Sequence, residues 1–357
     1  MLGGLIVLLL GMLIRREIDH GWGDIFVIGH GKWDLLPLAA VAILTGLTYG
    51  KKGLRLAAQA ILVGAVFLFL GRAIHDDWGQ ITGRTWNFKL PWMAASLALM
   101  SSLYFTQASG WLLILRRFGY RVPFLPGIFV WSKSLLARYV PGNVLMVVGR
   151  VVMIEPFGVP KRVSFSSVIY EQSLLAAASA SVVAIALPLW PALRGVSPLI
   201  WLILLIPPAA ILGLSPKVFG GVANFLLKKA HRQPIEEFLP FKSVIAFIGY
   251  YGLTLTLSGL GLFSLVRAVT TISFINLPIV IASAPLAWLL ALFVFISPSG
   301  LGVREGVYSF TLAFAFNHES GVASAFAILA RFWQTMIEVS FALTIILLVK
   351  KFHRRRS

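Results

Sequence analysis

Cysteine is absent from this sequence of 357 residues, and charged residues are scarce. Without cysteine, the chain has no disulfide, no thiolate metal site and no cysteine nucleophile. Asp, Glu, Lys and Arg together make up 12% of the residues, whereas about 25% is typical of a soluble domain whose surface faces water. Acidic residues are the scarcest, with 13 against 31 basic residues and a formal net charge of +18. These values exclude a water-soluble globular domain as the main body of the chain.

Long apolar runs make up most of the sequence. Hydrophobic residues account for 58% of it, and the mean hydropathy is +0.87. A run of about 18 apolar residues or more can cross the roughly 30 Å hydrocarbon core of a bilayer as a helix. We therefore predict an all-α fold, a polytopic transmembrane helical bundle. The apolar segments are 2–14, 35–49, 57–73, 91–115, 163–189, 196–213, 242–266 and 321–349, and two further stretches, 125–148 and 275–300, have Pro and Gly near their ends.

The basic residues predict the orientation of the bundle, because cytoplasmic loops of membrane proteins are enriched in Lys and Arg. Basic clusters lie at 116–121, 161–162, 217–232 and in the C-terminal tail 350–357. If all are cytoplasmic, the stretch 125–148 must enter and leave the membrane on the cytoplasmic side. By the same reasoning the stretch 275–300 enters from the outer side. The prediction is about eight spans plus two re-entrant hairpins, with a cytoplasmic C-terminus.

Two motifs interrupt the apolar pattern. RYVPGN at 138–143 is followed by GRVVMIEPFG at 149–158, and SPSGLGVREG occupies 297–306. Each follows a re-entrant stretch, breaks it with Pro and Gly, and then presents Arg and Glu before a span that carries charge. We interpret them as inverted repeats, a construction that recurs in transporters. The candidate substrate-binding residues are Arg138, Pro141, Gly142, Asn143, Arg150, Glu155 and Glu171 in the first repeat, and Pro298, Gly300, Gly302, Arg304, Glu305, Arg331 and Glu338 in the second.

Charges inside the predicted spans favour pairing. A charged side chain at the centre of a span costs about 2.5–3.5 kcal/mol on insertion scales, so such residues usually face a cavity and pair. We expect Glu171 to pair with Arg138 or Arg150, and Arg331 to pair with Glu305. The alternative to a binding site is that these pairs only lock the bundle and hold no ligand.

Other chemistries find no support in the sequence. The glycines of GLGVREG are spaced G-x-G-x-x-x-G between membrane segments, which does not match a dinucleotide-binding turn. The six histidines are scattered without metal-ligand spacing. No P-loop is present, so we expect no ATP hydrolysis. The predictions are therefore no cofactor, no metal site and no catalytic residues.

At its two motifs the chain resembles the lysylphosphatidylglycerol synthase transmembrane-region family, a flippase-type membrane domain that also occurs alone. The resemblance rests on ARYVPGNV with the following GR, on the FG…E pattern that reaches Glu171, and on SPSGLGVREG with AILARFWQTMIE. It covers about 57–349, which leaves 1–56 as extra N-terminal spans and 350–357 as a basic cytoplasmic tail. The resemblance implies inverted halves that move lipid headgroups between leaflets. Because the sequence ends at HRRRS, we expect no soluble aminoacyl-transfer domain.

These observations favour a non-ATP-driven translocator of a phospholipid or polyprenyl-type lipid headgroup in a prokaryotic plasma membrane. One alternative is a non-transporting partner subunit of an envelope or glycosyltransferase complex. Another is a membrane enzyme acting on a lipid-linked substrate, although no acid–base pair or metal ligands are evident. The expected partners are lipid, the bilayer, and either further copies of the chain or an envelope-synthesis protein. The basic residues suit anionic lipid headgroups; nucleic-acid binding is not expected.

Overall fold

The computed structural model describes residues 75, 78–83, 88–137, 144–190, 198–229, 238–293, 300, 302–316 and 319–354. Within these ranges all regular secondary structure is helical. The α-helices are α1 (Trp78–Thr82), α2 (Leu90–Arg117), α3 (Phe124–Leu136), α4 (Val144–Ile154), α5 (Lys161–Leu189), α6 (Ile206–Gly213), α7 (Pro216–Lys229), α8 (Phe241–Val269), α9 (Leu277–Phe293), α10 (Val303–Ala315) and α11 (Ser320–Arg354). Short 3-10 helices lie at Glu155–Phe157, Pro198–Leu205 and Phe274–Asn276.

Five helical segments of the described chain are long and apolar enough to cross a membrane: α2, α5, α8, the segment Phe274–Leu292 that contains most of α9, and α11. The protein is therefore an all-helical membrane protein, as its composition predicted. Four of the predicted spans, 91–115, 163–189, 242–266 and 321–349, are confirmed as long helices. The predicted spans at 2–14, 35–49 and 57–73 lie outside the described residues, so the total of about eight stays a prediction.

Proline and glycine set the ends of the long helices. The residue before α5 is Pro160 and the residue before α8 is Pro240, both extended with ψ of 144°. Proline restricts the backbone φ at these starts. Its missing N–H costs the helix nothing, because N–H groups at a helix start have no carbonyl partner within the helix. After the end of α2 the chain passes through Gly119 with a φ of 91°, in the left-handed region that glycine tolerates. Short turns of this kind hold successive helices against each other.

Two predicted segments differ from expectation. The described part of the segment 196–213 is not α-helical throughout: it consists of a 3-10 helix and α6, and α7 follows at an angle of 78°. Pro207, Pro208 and Pro216 lack the N–H groups that a continuous α-helix would need there. The stretch 275–300, predicted as a re-entrant hairpin, contains a continuous helix that is long enough to cross the membrane.

The centre of the bundle is the antiparallel pair α2 and α8. At one end the N–H of Lys89 donates to the carbonyl of Ala268 (2.8 Å). Towards the other end the Tyr250 hydroxyl donates to the carbonyl of Thr106 (2.8 Å). Glycines allow the close approach, since a Cβ on Gly110 would lie 2.6 Å from the hydroxyl of its neighbour on α8. Small residues commonly let membrane helices pack closely in this way.

The shorter helices pack around this pair. α3 contacts α4 and α11, while α9 contacts α10 and α5. The start of α9 and the end of α10 lie together, because the Asn276 amide donates to the carbonyl of Ala315 (3.2 Å). The Trp190 indole donates to the Asn276 side-chain oxygen (3.4 Å), so the end of α5 lies there too. This packing leaves α4 and α10 as short helices set among long ones.

Candidate functional site

A buried ion pair joins α4 to α5. Arg150 on α4 and Glu171 on α5 are in direct contact between guanidinium Nη1 and carboxylate Oε2. Their side chains are only 1% and 3% exposed, so both charges are shielded from solvent. The sequence left Arg138 and Arg150 open as partners of Glu171. The structure pairs Glu171 with Arg150, and Arg138 lies outside the described residues.

Aromatic and hydroxyl side chains enclose this first pair. The Trp131 indole donates to Glu171 Oε1 (2.9 Å), and Arg150 Nε donates to the Ser134 hydroxyl (3.1 Å). The guanidinium carbon lies 4.9 Å from a ring centroid of Trp111 and 5.6 Å from one of Trp131. Both distances fall within the range of a cation–π interaction. A pair enclosed in this way holds α3, α4 and α5 together, and a ligand could reach it only if the rings moved.

Glu155 lies apart from the first pair, on the protein surface. Its carboxylate is 3.3 Å from the Lys161 ammonium, and the two side chains are 49% and 63% exposed. Exposed pairs of this kind typically contribute about 0–1 kcal/mol. The structure therefore does not bring Glu155 together with the buried charges.

A second cluster lies at the start of α10. Gly302 precedes the helix with φ 85° and ψ −49°, a conformation that favours glycine. Its N–H donates to Glu305 Oε2 (2.7 Å), so this carboxylate caps its own helix. The other oxygen of Glu305 is 3.2 Å from Arg331 Nε on α11. The two groups form an ion pair, but the Nε–H does not point at the oxygen as a hydrogen bond would require. The predicted pairing of Arg331 with Glu305 is confirmed.

Arg304 belongs to the second cluster, and Glu338 lies about two helical turns after Arg331 on α11. Arg304 is 7% exposed and Glu338 is 1% exposed. Gly300, with φ 70°, lies over the Arg304 side chain, since a Cβ added there would be 3.1 Å from Arg304 Nε. Glu338 accepts a hydrogen bond from the Tyr104 hydroxyl (3.2 Å). The second cluster thus contains two arginines, Arg304 and Arg331, and one glutamate, Glu305.

The two ion pairs occupy matching positions in the chain. Glu171 is the eleventh residue of α5, and Arg331 is the twelfth residue of α11. At 1.5 Å per residue, each lies roughly 15 Å along its helix, which is about half of the hydrocarbon thickness. Each meets a charge from the short helix that precedes it, Arg150 or Glu305. The signs are reversed, because α5 supplies an acid where α11 supplies a base.

Sequence reasoning missed the uncharged side chains that contact the buried charges: Trp111, Trp131, Ser134 and Tyr104. Tryptophan in membrane proteins is enriched at the interfaces, yet Trp111 and Trp131 are 0% and 1% exposed inside the bundle. One signal for Trp131 was available in the sequence, namely its position before a charged motif. Trp131 lies seven residues before Arg138, within an apolar stretch that already preceded a charged motif.

The remaining candidates, Arg138, Pro141, Gly142, Asn143 and Pro298, lie outside the described residues. Among the residues that the structure describes, no group of three or more His, Cys, Asp or Glu side chains could hold a metal ion. Comparison with protein-family models, curated proteins and solved structures finds no match to the chain. The family resemblance therefore depends on the two sequence motifs alone and stays a prediction.

Proposed function

We propose that the protein translocates the headgroup of a phospholipid or polyprenyl-type lipid between the leaflets of a prokaryotic plasma membrane, without hydrolysing ATP. The observation that carries this proposal is the second cluster, in which Arg304, Glu305 and Arg331 are buried near a helix start inside a membrane bundle. Ionisable residues within membrane segments typically mark substrate or ion pathways, because each is costly to insert. Stability alone would be served as well by apolar packing.

The chemistry of the second cluster suits a phosphate. Arg304 and Arg331 provide planar guanidinium groups, whose N–H donors match two oxygens of a phosphate at once. In this structure Glu305 occupies one face of Arg331. A phosphate that displaced this carboxylate would keep Arg331 paired, and Glu305 would still be held by the N–H of Gly302. The exchange therefore keeps Arg331 paired and leaves the Glu305 carboxylate with the Gly302 N–H as a hydrogen-bond donor.

The first pair serves as a structural counterpart in this proposal. Arg150 is enclosed by two indole rings, a serine and Glu171, which leaves little of its guanidinium for a ligand. Breaking such a buried pair is strongly destabilising, by about 3–5 kcal/mol. We therefore assign Arg150 and Glu171 to locking α4 against α5, and Arg304 and Arg331 to the headgroup.

The order and packing of the helices support an inverted repeat, and with it a transport mechanism. The order of a long helix, two shorter helices and a long helix occurs in α2–α5 and again in α8–α11. The equivalent helices α2 and α8 run antiparallel. Packing of α3 on α11 corresponds to packing of α9 on α5. Repeats related in this way can exchange conformations, so that one central site opens to each leaflet in turn. In this proposal the stretches 125–148 and 275–300 enter from opposite faces, and α9, which is long enough to cross the membrane, lies within the second.

The test is a flipping assay in vesicles that contain the purified protein and a lipid with a fluorescent acyl chain. An impermeant reductant bleaches the label in the outer leaflet, and the slower fraction reports translocation. We expect Arg304→Ala and Arg331→Ala to lower the rate to that of protein-free vesicles. Arg116→Ala, which removes an exposed arginine at the end of α2, should keep the wild-type rate.

Wild-type rates in both cluster variants, with intact folding, would refute the assignment of the headgroup site. The same samples separate the alternatives. A change in the composition of extracted lipids on expression would indicate an enzyme. A protein that never accelerates flipping but co-purifies with one stable partner would be a subunit of a larger complex.

A further inference from the structure

A second kind of cation site lies at the end of the bundle where α2 begins and α8 ends. Arg267, in the last turn of α8, is surrounded by aromatic rings. Its guanidinium carbon is 4.3 Å from the ring centroid of Phe274, 4.9 Å from Trp92 and 5.9 Å from Phe263. These rings come from three different elements, so they fix the plane and position of the guanidinium.

Most N–H donors of the Arg267 guanidinium make no hydrogen bond within the described part of the chain. Arg267 Nη1 donates to the carbonyl of Ile272 (3.1 Å), which is the one hydrogen bond of this side chain in the described part of the chain. An arginine has five N–H donors in a fixed fork. Arg150 contrasts with it, since its guanidinium contacts both a carboxylate and a hydroxyl. Arg267 is thus oriented and half-buried, but no carboxylate neutralises it among the described residues.

The surroundings of Arg267 are apolar and face outward. Large hydrophobic side chains near it are exposed, with Phe88 at 67%, Leu90 at 75%, Phe274 at 60% and Ile275 at 56%. Such a collar of exposed hydrophobic residues on a membrane bundle is suited to contact acyl chains. Lys89 lies between two of these residues, and its backbone N–H donates to the carbonyl of Ala268, next to Arg267. Two cations and an apolar collar therefore meet at one end of the bundle.

We propose that Arg267 and Lys89 bind the phosphate of an anionic phospholipid at this membrane surface. The free edge of the guanidinium can make two parallel hydrogen bonds to phosphate oxygens, and Lys89 adds a second positive charge. The exposed phenylalanine, leucine and isoleucine side chains then contact the upper part of the acyl chains. This site lies at the helix ends, whereas Arg331 lies roughly 15 Å along α11 from the start of that helix at 1.5 Å per residue. It binds a boundary lipid and is independent of the translocation site.

The competing explanation is that Arg267 only stabilises the end of α8. A cation in the last turn interacts favourably with the helix dipole, and donation to Ile272 satisfies a carbonyl beyond the helix. That role predicts a loss of stability in every lipid. The lipid-binding role predicts a loss that depends on the headgroup.

The experiment measures binding of short-chain phosphatidylglycerol and phosphatidylcholine to the detergent-purified full chain by native mass spectrometry. Arg267→Gln should weaken phosphatidylglycerol binding by at least about tenfold, as expected for the loss of charge-assisted hydrogen bonds. Arg267→Lys should weaken it less, because charge remains but the fork is lost. Lys89→Gln, an exposed position, provides a second variant that should fold normally. Arg116→Gln removes an exposed arginine at the opposite end of α2 and should bind as the wild type.

Three results would overturn the proposal. Equal phosphatidylglycerol binding by wild type, Arg267→Gln and Lys89→Gln would show that no phosphate is held here. Equal losses for phosphatidylglycerol and phosphatidylcholine, together with a lower melting temperature, would leave Arg267 only its helix-capping role. Displacement of the lipid by inorganic phosphate at similar concentration would identify a free-anion site instead. Flipping rates in these variants should match the wild type, which separates this site from the proposed function.

Discussion

Removing one partner of the Arg150–Glu171 pair should be far more damaging than removing both. We consider Arg150→Met, Glu171→Gln and the double variant. Met keeps most of the length of Arg, and Gln keeps an oxygen that can accept from the Trp131 indole. Each single variant leaves a buried group without its ionic partner, at a cost of about 3–5 kcal/mol. The double variant leaves no charge in the site.

The two single variants should differ from each other. In Glu171→Gln, the arginine remains over two indole rings, and desolvated cation–π contacts of this kind are worth about 2 kcal/mol. In Arg150→Met, the carboxylate retains the Trp131 N–H, and no cation remains beside it. We therefore expect Glu171→Gln near the lower end of the range and Arg150→Met near the upper end. The double variant should cost less than about 1.5 kcal/mol, as conservative repacking does.

The measurement is the free energy of unfolding from denaturant titrations in mixed micelles, combined with the vesicle flipping assay on the same preparations. If Arg150 and Glu171 form a lock, the double variant should fold and flip lipid at close to the wild-type rate. Two results would refute this reasoning. Additive losses of stability would show that the charges are not coupled. A stable double variant that no longer flips lipid would place the first pair in the headgroup site.

Three further predictions concern glycine positions and the surface. Gly110→Ala should lower the free energy of unfolding by about 1–3 kcal/mol, because its Cβ would lie 2.6 Å from the Tyr251 hydroxyl; Gly249→Ala, with open space around the added Cβ, is the matched control and should not destabilise the protein. Gly302→Ala should cost about 1–3 kcal/mol and reduce flipping, because its φ of 85° positions Glu305; an unchanged flipping rate would contradict the role of this turn. Phe225→Trp places a tryptophan on the exposed apolar side of α7. The fluorescence that it adds to the wild-type signal should be quenched by brominated lipid if that helix lies in the membrane interface. Added fluorescence that is unquenched and water-like would contradict this placement.

The pairing of charges was predictable from the sequence because acids are so scarce. Once Glu171 and Arg331 were placed near the middle of long apolar segments, few partners remained. Arg331 pairs with the expected Glu305, and Glu171 pairs with Arg150, one of its two expected partners. The long helices followed from hydropathy and length alone. These features depend on composition along the chain, and the insertion cost of a lone charge leaves few alternatives.

Tertiary packing was not predictable from the same information. The indoles of Trp111 and Trp131 could have been assigned to an interface, and only the fold places them against Arg150. Glu155 was grouped with the buried charges through its place in a motif, although three residues of 3-10 helix carry it to the surface. Each of these errors concerns where a side chain points or which residues surround it, and a sequence pattern does not contain that information.

Reversal of charge between the two ion pairs fits a division of roles between the halves. In both halves the long helix carries its charge about 15 Å from its start, and the short helix before it supplies the opposite charge. If both pairs were only locks, either sign would serve equally well, and nothing would require a second arginine beside one of them. The second half nevertheless adds Arg304, and it places Glu305 where the N–H of Gly302 can hold the carboxylate when Arg331 turns to another anion. The first half instead closes aromatic rings over Arg150. Under the proposed function, the first half would keep its pair and the second would exchange Glu305 for a phosphate at Arg331.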